Sequence, residues 1–351
     1  MVKLETKSKS EKETIKMERA SKYPAGGDCS EPIIFDTSDG QELRINMISS
    51  RLKKMFGYKI VKLSLDGGFT CPNRDGTKGL GGCIFCSGSG SGDMASSTDS
   101  IYEMHRAMAD QIALLSDKWP KAKYIAYFQS YTNTYAPVPR LRQMFEAALS
   151  HPKVVGIAIA TRSDCLPEDV VELLSQINEK TFMWVELGLQ TMHDSTAKAM
   201  NLCHQQSDYL DALKRLTAKN IPVVAHLILG LPGESREMML DSVKFACRKI
   251  DDSDRRIFGL KLHMLNVVKG STMAEVYPDY VPFASPEEYI DLLIEAVELV
   301  PPEITLHRIS GDAPRSTLIA PEWSYKKRTI LNEIHKQMRL RNTWQGRLSI
   351  D

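Results

Sequence analysis

The chain has 351 residues, of which 42% are hydrophobic and 25% charged, and its 45 basic and 44 acidic side chains give a formal net charge of +1. This composition is typical of a globular protein of about two domains and excludes a chain that is disordered throughout. No stretch approaches the roughly 18 consecutive apolar residues of a membrane helix, and no secretion signal is recognisable, so we expect a cytoplasmic protein without a membrane partner. A polyanion would have to bind a local basic patch, because the whole chain has almost no net charge.

The first 42 residues differ in character from the rest of the chain. They carry mixed charge, few large apolar side chains and the stretch PAGGD. They offer too little apolar surface to offset the entropy that is lost when a backbone becomes ordered. We therefore predict a flexible N-terminal tail over residues 1–42.

Beyond the tail, strand and helix patterns alternate. An apolar run at 58–65 (YKIVKLSL) predicts the first strand, and a glycine-rich loop follows it. The next helix is marked by apolar residues that share one face: Ile101, Met104, Met108, Ile112 and Leu115. Further strands are predicted at 123–128, 154–160, 182–187, 222–229 and 257–265, and further helices after Pro137 and Pro139 and near 167–178, 206–219 and 235–250.

This order of elements predicts an α/β protein. Near-continuous apolar strands, each followed by an amphipathic helix, indicate a parallel sheet covered by helices, and the pattern fits a barrel or a doubly wound sheet equally well. In both, functional side chains collect after the C-terminal ends of the strands. We assign residues 43–270 to this unit. Residues 271–351, with a helix near 286–299 and a strand at 304–308, depart from the rhythm and are predicted to form a C-terminal extension.

The chain contains seven cysteines, an odd number that argues against a disulfide framework. Four of them are isolated and are interpreted as small buried hydrophobic residues: Cys29, Cys165, Cys203 and Cys247. The other three, Cys71, Cys83 and Cys86, lie in the glycine-rich loop with the spacing C-x11-C-x2-C. Three clustered thiols suggest a metal site.

We consider three explanations for the three clustered thiols. A structural zinc site needs four ligands, and the loop offers no fourth Cys or His. A [4Fe-4S] cluster tolerates three thiolates, because the fourth iron can stay open for a substrate or cofactor. A redox-active CxxC pair with a bystander cysteine is the remaining explanation. The glycines favour the cluster, since a loop that wraps a cluster needs unusual backbone angles and close N–H groups.

Several segments resemble the radical S-adenosylmethionine (SAM) enzymes. Their cluster loop follows the first strand of a partial barrel and ends in C-x-aromatic-C, which residues 83–86 (CIFC) match. The long first gap resembles a narrower branch, the YhcC/YtqA (MnmL-like) group, which is similar to the catalytic subunit of Elongator. Within residues 43–335 that branch is matched by TCPNRDG, YFQSYTNTYAP, ATRSDCLP, ELGLQT, HLILGLPGE, GDAPR and IAPEW.

The resemblance implies a partial (β/α)6 barrel of the TIM-like type with a C-terminal extension. It also implies a [4Fe-4S] cluster on Cys71, Cys83 and Cys86, whose open iron would bind the methionine amine and carboxylate of SAM. An electron from a low-potential donor such as flavodoxin or ferredoxin would cleave SAM, and the resulting 5′-deoxyadenosyl radical would abstract a hydrogen atom from the substrate.

The resemblance also implies which residues hold SAM. Phe85 is expected to pack beside the adenine, and backbone atoms around Ile228 are expected to flank it. Gln129, at the end of the second strand, is a candidate for the methionine amino group, in place of the Gly-Gly-Glu turn that related enzymes use and this chain lacks. The alternative for Gln129 is a polar residue that caps a strand.

Four more residues complete the predicted SAM site. Arg162 is a candidate for the methionine carboxylate, because a guanidinium binds a carboxylate bidentately; a surface salt bridge is the alternative. Glu186 and Gln190 are expected to contact the ribose hydroxyls. His204 is a candidate for a second carboxylate anchor, where some relatives have an arginine.

The C-terminal segment 324–347 suggests a nucleic-acid partner. It carries seven Lys or Arg against one acid, Glu333, a pattern that is also typical of a solvated helix face. Trp323, Tyr325 and Trp344 interleave with the basic residues, as expected where bases stack on rings and phosphates meet cations. Lys326, Lys327 and Arg328 are the candidate RNA-binding residues.

The resemblance to Elongator and MnmL-like proteins implies tRNA as the partner, with the C5 side chain of the wobble uridine as the site of reaction. Two other functions stay open. One is a radical SAM enzyme that acts on a small metabolite or on a protein. The other is a non-catalytic protein in which the three cysteines sense iron or redox state.

Overall fold

The computed structural model describes residues 31–36, 42–88, 90, 96–97, 100–251, 253–311 and 313–349. Most of the predicted tail lies outside these residues, and its flexibility stays a prediction. Near the N-terminal end of the described residues, Asp36 forms an isolated antiparallel bridge with Leu43. In the described part of the chain, no helix is long and apolar enough to cross a membrane.

The described elements follow the predicted alternation of strands and helices. The strands are β1 (Ile60–Asp66), β2 (Ser96–Ser97), β3 (Lys123–Phe128), β4 (Val154–Arg162), β5 (Phe182–Gln190), β6 (Val223–Leu229), β7 (Gly259–Met264), β8 (Val267–Val268), β9 (Thr305–Arg308) and β10 (Leu318–Ala320). The helices are α1 (Ile48–Phe56), α2 (Ile101–Ser116), α3 (Val138–Leu149), α4 (Glu168–Lys180), α5 (Asp194–Ala199), α6 (Gln206–Ala218), α7 (Arg236–Cys247), α8 (Thr272–Val276), α9 (Pro286–Leu299) and α10 (Lys327–Leu340). Each predicted strand is present, with ends that differ by up to three residues.

Serine side chains cap the N-terminal ends of two of the helices. The hydroxyl of Ser100 accepts a hydrogen bond from the backbone N–H of Glu103 at 3.2 Å, which caps α2. Ser285 caps α9 in the same way through Glu288, also at 3.2 Å. Such caps satisfy backbone N–H groups that the first turn of a helix leaves without partners.

The main sheet is parallel throughout and forms a partial barrel. Its strand order is β2-β1-β3-β4-β5-β6-β7-β9, and every neighbouring pair runs in the same direction. Helices cover the outer face, where apolar side chains from strands and helices form one large core. The predicted α/β half-barrel is therefore confirmed, and the doubly wound alternative is wrong.

The inner face of the barrel is polar towards one end and apolar towards the other. α1 packs Ile48 and Leu52 against inward-facing strand residues that include Trp184. Further along the strands, polar residues take over at alternate positions, for example Glu186 two residues after Trp184 on β5. Because successive strand residues point to opposite faces, both side chains lie inside the barrel.

The segment that we predicted as an extension contributes directly to the barrel. β9 pairs with β7 and forms one edge of the main sheet, and α9 packs beside α7 and α10. β8 and β10 form a separate antiparallel pair after the end of β7. The boundary at residue 270 stays a prediction.

Candidate active site

A cavity of about 460 Å³ lies at the C-terminal ends of the strands. Every residue that we predicted for the cluster and for SAM lines it: Cys71, Cys83, Phe85, Cys86, Gln129, Arg162, Glu186, Gln190, His204 and Ile228. These residues come from the loop after β1, from the ends of β3 to β6 and, for His204, from the segment between α5 and α6, so the barrel brings together side chains that are up to 157 positions apart in the sequence. Lys326, Lys327 and Arg328 are not among the lining residues.

The three clustered cysteines lie on one wall of this cavity. The backbone N–H of Cys86 donates to the carbonyl of Cys83 at 2.9 Å, which folds the CIFC segment into a turn. A hydrogen bond between the two thiols, together with burial, raises the pKa of Cys83 well above its usual value. No three His, Cys, Asp or Glu side chains in the described ranges are arranged to hold a single metal ion. Three thiols around one cavity suit a multi-iron cluster, in which each thiolate binds a different iron atom.

Two asparagines hold the cysteine loop in shape. The side-chain amide of Asn73 donates to the sulfur of Cys83 at 3.7 Å and also to the carbonyl of Asn201. The amide of Asn201 in turn donates to the carbonyls of Leu80 and Gly82, at 3.1 and 2.8 Å. N–H groups directed at a ligating sulfur are known to tune such centres. The loop therefore offers thiols, a sulfur-directed donor and a rigid backbone.

The two predicted adenine contacts lie in one apolar group. Phe85 and Ile228 both pack against a buried cluster that includes Leu231 and Leu265. A flat heterocycle between Phe85 and Ile228 would therefore meet apolar surface. Their role in SAM binding stays a prediction.

Arg162 is braced by groups of the protein. Its guanidinium donates to both carboxylate oxygens of Asp164, at 2.9 Å each, and to the carbonyls of Leu202 and Cys203, at 2.8 and 3.2 Å. Four of its five N–H groups are used, so one remains for a ligand. Burial would raise the pKa of Asp164, but Arg162 and Lys78 lower it to about 2. Arg162 thus joins β4 to the 202–203 segment, and its predicted contact with the SAM carboxylate stays a prediction.

Glu186 is the centre of a buried ionic network. Its Oε1 accepts from Lys62 Nζ at 3.2 Å and from the indole N–H of Trp184 at 2.9 Å. Its Oε2 accepts from the hydroxyl of Tyr127 at 2.7 Å, from His226 Nε2 at 2.8 Å and from the ammonium of Lys261. A carboxylate has about four lone-pair sites. A ribose contact would therefore require Glu186 to give up one of these bonds.

The charges in this network are strongly coupled. Burial alone would raise the pKa of Glu186, but Lys261 and Lys62 hold it well below its usual value. Burial lowers the pKa of Lys261 and also that of His226, which falls to about 4 with the help of Lys261. His226 is therefore neutral at pH 7 and donates its Nε2 proton to the carboxylate.

Three further polar residues line the cavity wall: His263, Gln190 and His204. His263 donates from Nδ1 to the carbonyl of Met264 at 2.8 Å and accepts at Nε2 from Arg308 at 3.1 Å. Burial and Arg308 lower the pKa of His263 to about 3. Gln190 has a left-handed backbone with φ +66°. Nδ1 of His204 is buried and has no hydrogen-bond partner in the described chain.

The C-terminal basic segment differs from its prediction in two ways. Trp344 is buried and Trp323 is half-buried against Tyr289, so the prediction that all three aromatic rings are available for stacking is wrong; only Tyr325 is exposed. Three of the seven basic residues form ion pairs: Lys336 with Glu333, Arg341 with Asp291 and Arg347 with Glu298. Only Glu333 belongs to the same segment, so the sequence of the segment does not reveal the other two pairs. Two of these acids come from α9, which packs beside α10.

Two basic residues lie close to the exposed ring of Tyr325: Lys326 of this segment, and Arg315, which precedes the segment in the chain. The guanidinium of Arg315 lies 4.5 Å from the centre of the Tyr325 ring, and Lys326 Nζ lies 5.8 Å from it. The adjacent residue, Ser324, is buried and its hydroxyl accepts a hydrogen bond from the side-chain amide of Asn266 at 3.0 Å. Asn266 lines the cavity. The exposed basic group is therefore connected to the cavity wall through one buried contact.

Sequence reasoning missed several residues of the site. Lys62 and Lys261 each interrupt an apolar strand, which is the signal that could have identified them as inward-facing partners of Glu186. His226 was visible only as part of a matched segment. Asn73 was likewise visible only as part of a matched segment, and Asn266 gave no signal, because its partner Ser324 lies 58 positions away in sequence.

Comparison with known proteins assigns the class of this chain. The family model "Radical SAM superfamily" matches residues 71–246, and the model "Radical_SAM C-terminal domain" matches residues 257–339. The chain belongs to the radical SAM superfamily. Membership implies an enzyme that uses SAM and an iron–sulfur cluster, which confirms the predicted resemblance at that level.

Several relatives resemble it over most of its length. The chain is 43% identical to YtqA of Bacillus subtilis over 308 residues, which cover 87% of this chain and 93% of that protein. It is 38% identical to YhcC of Escherichia coli K12, with 84% and 92% covered. A tRNA uridine(34) acetyltransferase of Methanocaldococcus jannaschii is 24% identical, with 53% and 33% covered. The structure of Methanocaldococcus infernus Elp3 superposes with a TM-score of 0.59 at 19% identity, over 82% of this chain and 64% of that one, which supports the fold.

Proposed function

We propose that this protein is a tRNA-modifying radical SAM enzyme that acts on the C5 side chain of the wobble uridine. Cys71, Cys83 and Cys86 hold a [4Fe-4S] cluster at the wall of the cavity, and SAM binds between that wall and the ends of β3 to β6. When bound, the cluster and SAM supply a hydrogen-abstracting radical. Phe85 and Ile228 flank the adenine, and Gln129, Arg162 and Gln190 provide polar contacts.

The residues around this site position SAM and exclude water. The buried Lys62–Glu186–Lys261 network keeps the barrel floor rigid, because each group is fixed by several charged hydrogen bonds. Asn73 supplies an N–H group to the sulfur of Cys83. A rigid cavity suits radical chemistry, since a reactive intermediate must meet only the intended hydrogen atom.

The observation that carries the tRNA proposal is the connection between the cavity and the exposed basic group. Arg315, Tyr325 and Lys326 lie together on the surface, and Ser324 binds Asn266 at the cavity wall. Cations bind phosphates, and an exposed ring stacks on an unpaired base. A nucleotide that leaves the anticodon loop could in this way enter the cavity while its backbone stays on the basic group. The name of the distant relative that acts on tRNA uridine 34 supports the same substrate.

Reversing the charges of Lys326, Lys327 and Arg328 to Glu is expected to weaken tRNA binding by about tenfold or more, and to flatten its salt dependence, because each lost phosphate contact removes a released counterion. Binding is measured by filter retention at several salt concentrations. SAM binding is expected to stay unchanged, because these residues do not line the cavity.

The matched control reverses Lys118, Lys121 and Lys153, which are exposed at the opposite, N-terminal edge of the sheet. This control should bind tRNA like the original protein. If both triple variants lose the same affinity, or neither does, the RNA role of the C-terminal residues is refuted.

We also propose a flavodoxin or ferredoxin as the electron donor, because the cleavage of SAM needs an electron from a low-potential donor.

A further inference from the structure

Arg74 binds both ends of the cysteine loop. Its backbone N–H donates to the carbonyl of Cys71 at 2.8 Å. Its guanidinium donates to the carbonyl of Ser87 at 2.6 Å and to that of Gly88 at 3.4 Å, directly after Cys86. One residue therefore joins the segment that begins at the first clustered cysteine to the segment that follows the last.

The side chain of Arg74 also packs beside the middle cysteine. A Cβ at Gly82 would lie 2.8 Å from Arg74 Nε and 3.3 Å from its Cζ, so the guanidinium lies directly on the backbone that precedes Cys83. A larger residue at Gly82 would displace it. The φ of Gly82 is +81°, a conformation that glycine adopts without strain.

Tyr131 supports the same guanidinium. The centre of its ring lies 5.4 Å from Arg74 Cζ, a distance typical of a cation–π contact. Its hydroxyl donates at 2.6 Å to the carbonyl of Gly88, which Arg74 also binds. Tyr131 has a left-handed backbone with φ +57°, which is strained for a residue with a large side chain. These contacts hold the charge of Arg74 in one place.

The charge of Arg74 lies at the wall that would hold the cluster. Arg74 is half-buried and lines the cavity together with the three clustered cysteines. The other guanidinium at this wall, Arg162, is paired with the carboxylate of Asp164 at 2.9 Å. The side-chain bonds of Arg74, by contrast, go to carbonyls, and within the described ranges no carboxylate pairs with it. Arg74 therefore brings a positive charge that no described acid neutralises.

We infer that Arg74 raises the reduction potential of the iron–sulfur cluster and so makes the cluster easier to reduce; this inference rests on the cluster ligands of the proposed function. Reduction transfers one electron from the donor to the cluster, and no bond forms or breaks. A fixed positive charge stabilises the form that carries the added electron, and the potentials of such clusters depend on the charge around them.

The test uses the full chain with its reconstituted cluster, as the original protein and as three variants. Arg74→Gln removes the charge, and Arg74→Lys keeps it without the planar guanidinium. Lys198→Gln is the matched control, because it removes a positive charge from an exposed residue of α5 that does not line the cavity. Potentials are measured by anaerobic titration with redox mediators, and the reduced cluster is quantified by electron paramagnetic resonance. Iron and sulfide are determined for each sample.

Arg74→Gln is expected to contain a full cluster that is about tenfold harder to reduce, which is a shift of about 59 mV to lower potential for a one-electron couple. Arg74→Lys should keep most of the original potential, and Lys198→Gln all of it. A merely structural role of Arg74 would instead lower the iron content of both Arg74 variants and leave the potential of the remaining cluster unchanged.

Four results would overturn the inference and leave the proposed function intact. Arg74→Gln could keep the original potential, or both Arg74 variants could lose the cluster. Arg74→Lys could shift as far as Arg74→Gln, which would exclude the charge as the cause. Lys198→Gln could shift equally, which would indicate a general effect of net charge. Failure of the original protein to assemble any cluster would overturn the proposed ligands, and the inference with them.

Discussion

Replacing Cys83 with alanine is expected to remove the iron–sulfur cluster and to reduce SAM cleavage below detection. Two thiolates cannot hold a cluster that the proposed site binds through three, and Cys83 lies between the other two and accepts the Asn73 amide. Iron and sulfide are determined after anaerobic reconstitution, with about four of each per chain expected for the original protein. Cys71→Ala and Cys86→Ala should behave alike.

The matched control is Cys203→Ala. Cys203 is exposed, so its interpretation as a buried residue is wrong. Its sulfur donates to Asn201 Oδ1 at 3.4 Å, close to the cysteine loop but not on the cavity wall. It should keep the cluster and its absorption spectrum. Loss of the cluster in this variant, or its retention in Cys83→Ala, would refute the proposed ligand set.

Glu186→Gln is expected to destabilise the protein by about 3–5 kcal/mol, because it leaves the buried Lys261 and the half-buried Lys62 without their shared counter-charge. Five groups donate to this carboxylate, and all five would meet a neutral amide in its place. The free energy of unfolding is measured by urea denaturation under anaerobic conditions.

The same Glu-to-Gln change at Glu172 serves as the control. Glu172 pairs with Lys219 at 3.0 Å, and both side chains are exposed. Solvent screens an exposed ion pair, so Glu172→Gln should have little effect on the free energy of unfolding. Equal effects of the two substitutions would mean that the Glu186 network does not stabilise the barrel.

Much of the barrel could be predicted from sequence, because apolar strands and amphipathic helices alternate with little interruption. The predicted strand at 182–187 is part of β5, which continues to Gln190. Of the three added residues, Gly188 and Gln190 line the cavity and Leu189 packs in the core, and the glycine and the glutamine interrupt the apolar run that identifies a strand. The pairing of β9 with β7 in the main sheet could not be predicted, because strand pairing depends on contacts between distant parts of the chain.

The candidate site was predictable where a local motif carries it and unpredictable where distant residues meet. Residues 83–86 identify the cysteine wall by their spacing. The five hydrogen bonds to Glu186, the bonds of Arg162 to the carbonyls of Leu202 and Cys203, and the burial of Trp344 all depend on packing. Trp344 illustrates the reason: an aromatic residue among basic ones fits a stacking platform or a core equally well, and the tertiary structure decides.

The most direct test of the proposed function is the formation of 5′-deoxyadenosine. The reconstituted, reduced protein is mixed with SAM, with and without total tRNA, and the product is quantified by mass spectrometry. We expect 5′-deoxyadenosine to form, and tRNA to increase its rate of formation. Formation at the same rate without tRNA would contradict the tRNA substrate, and no formation by a protein with a complete, reduced cluster would contradict radical SAM catalysis itself.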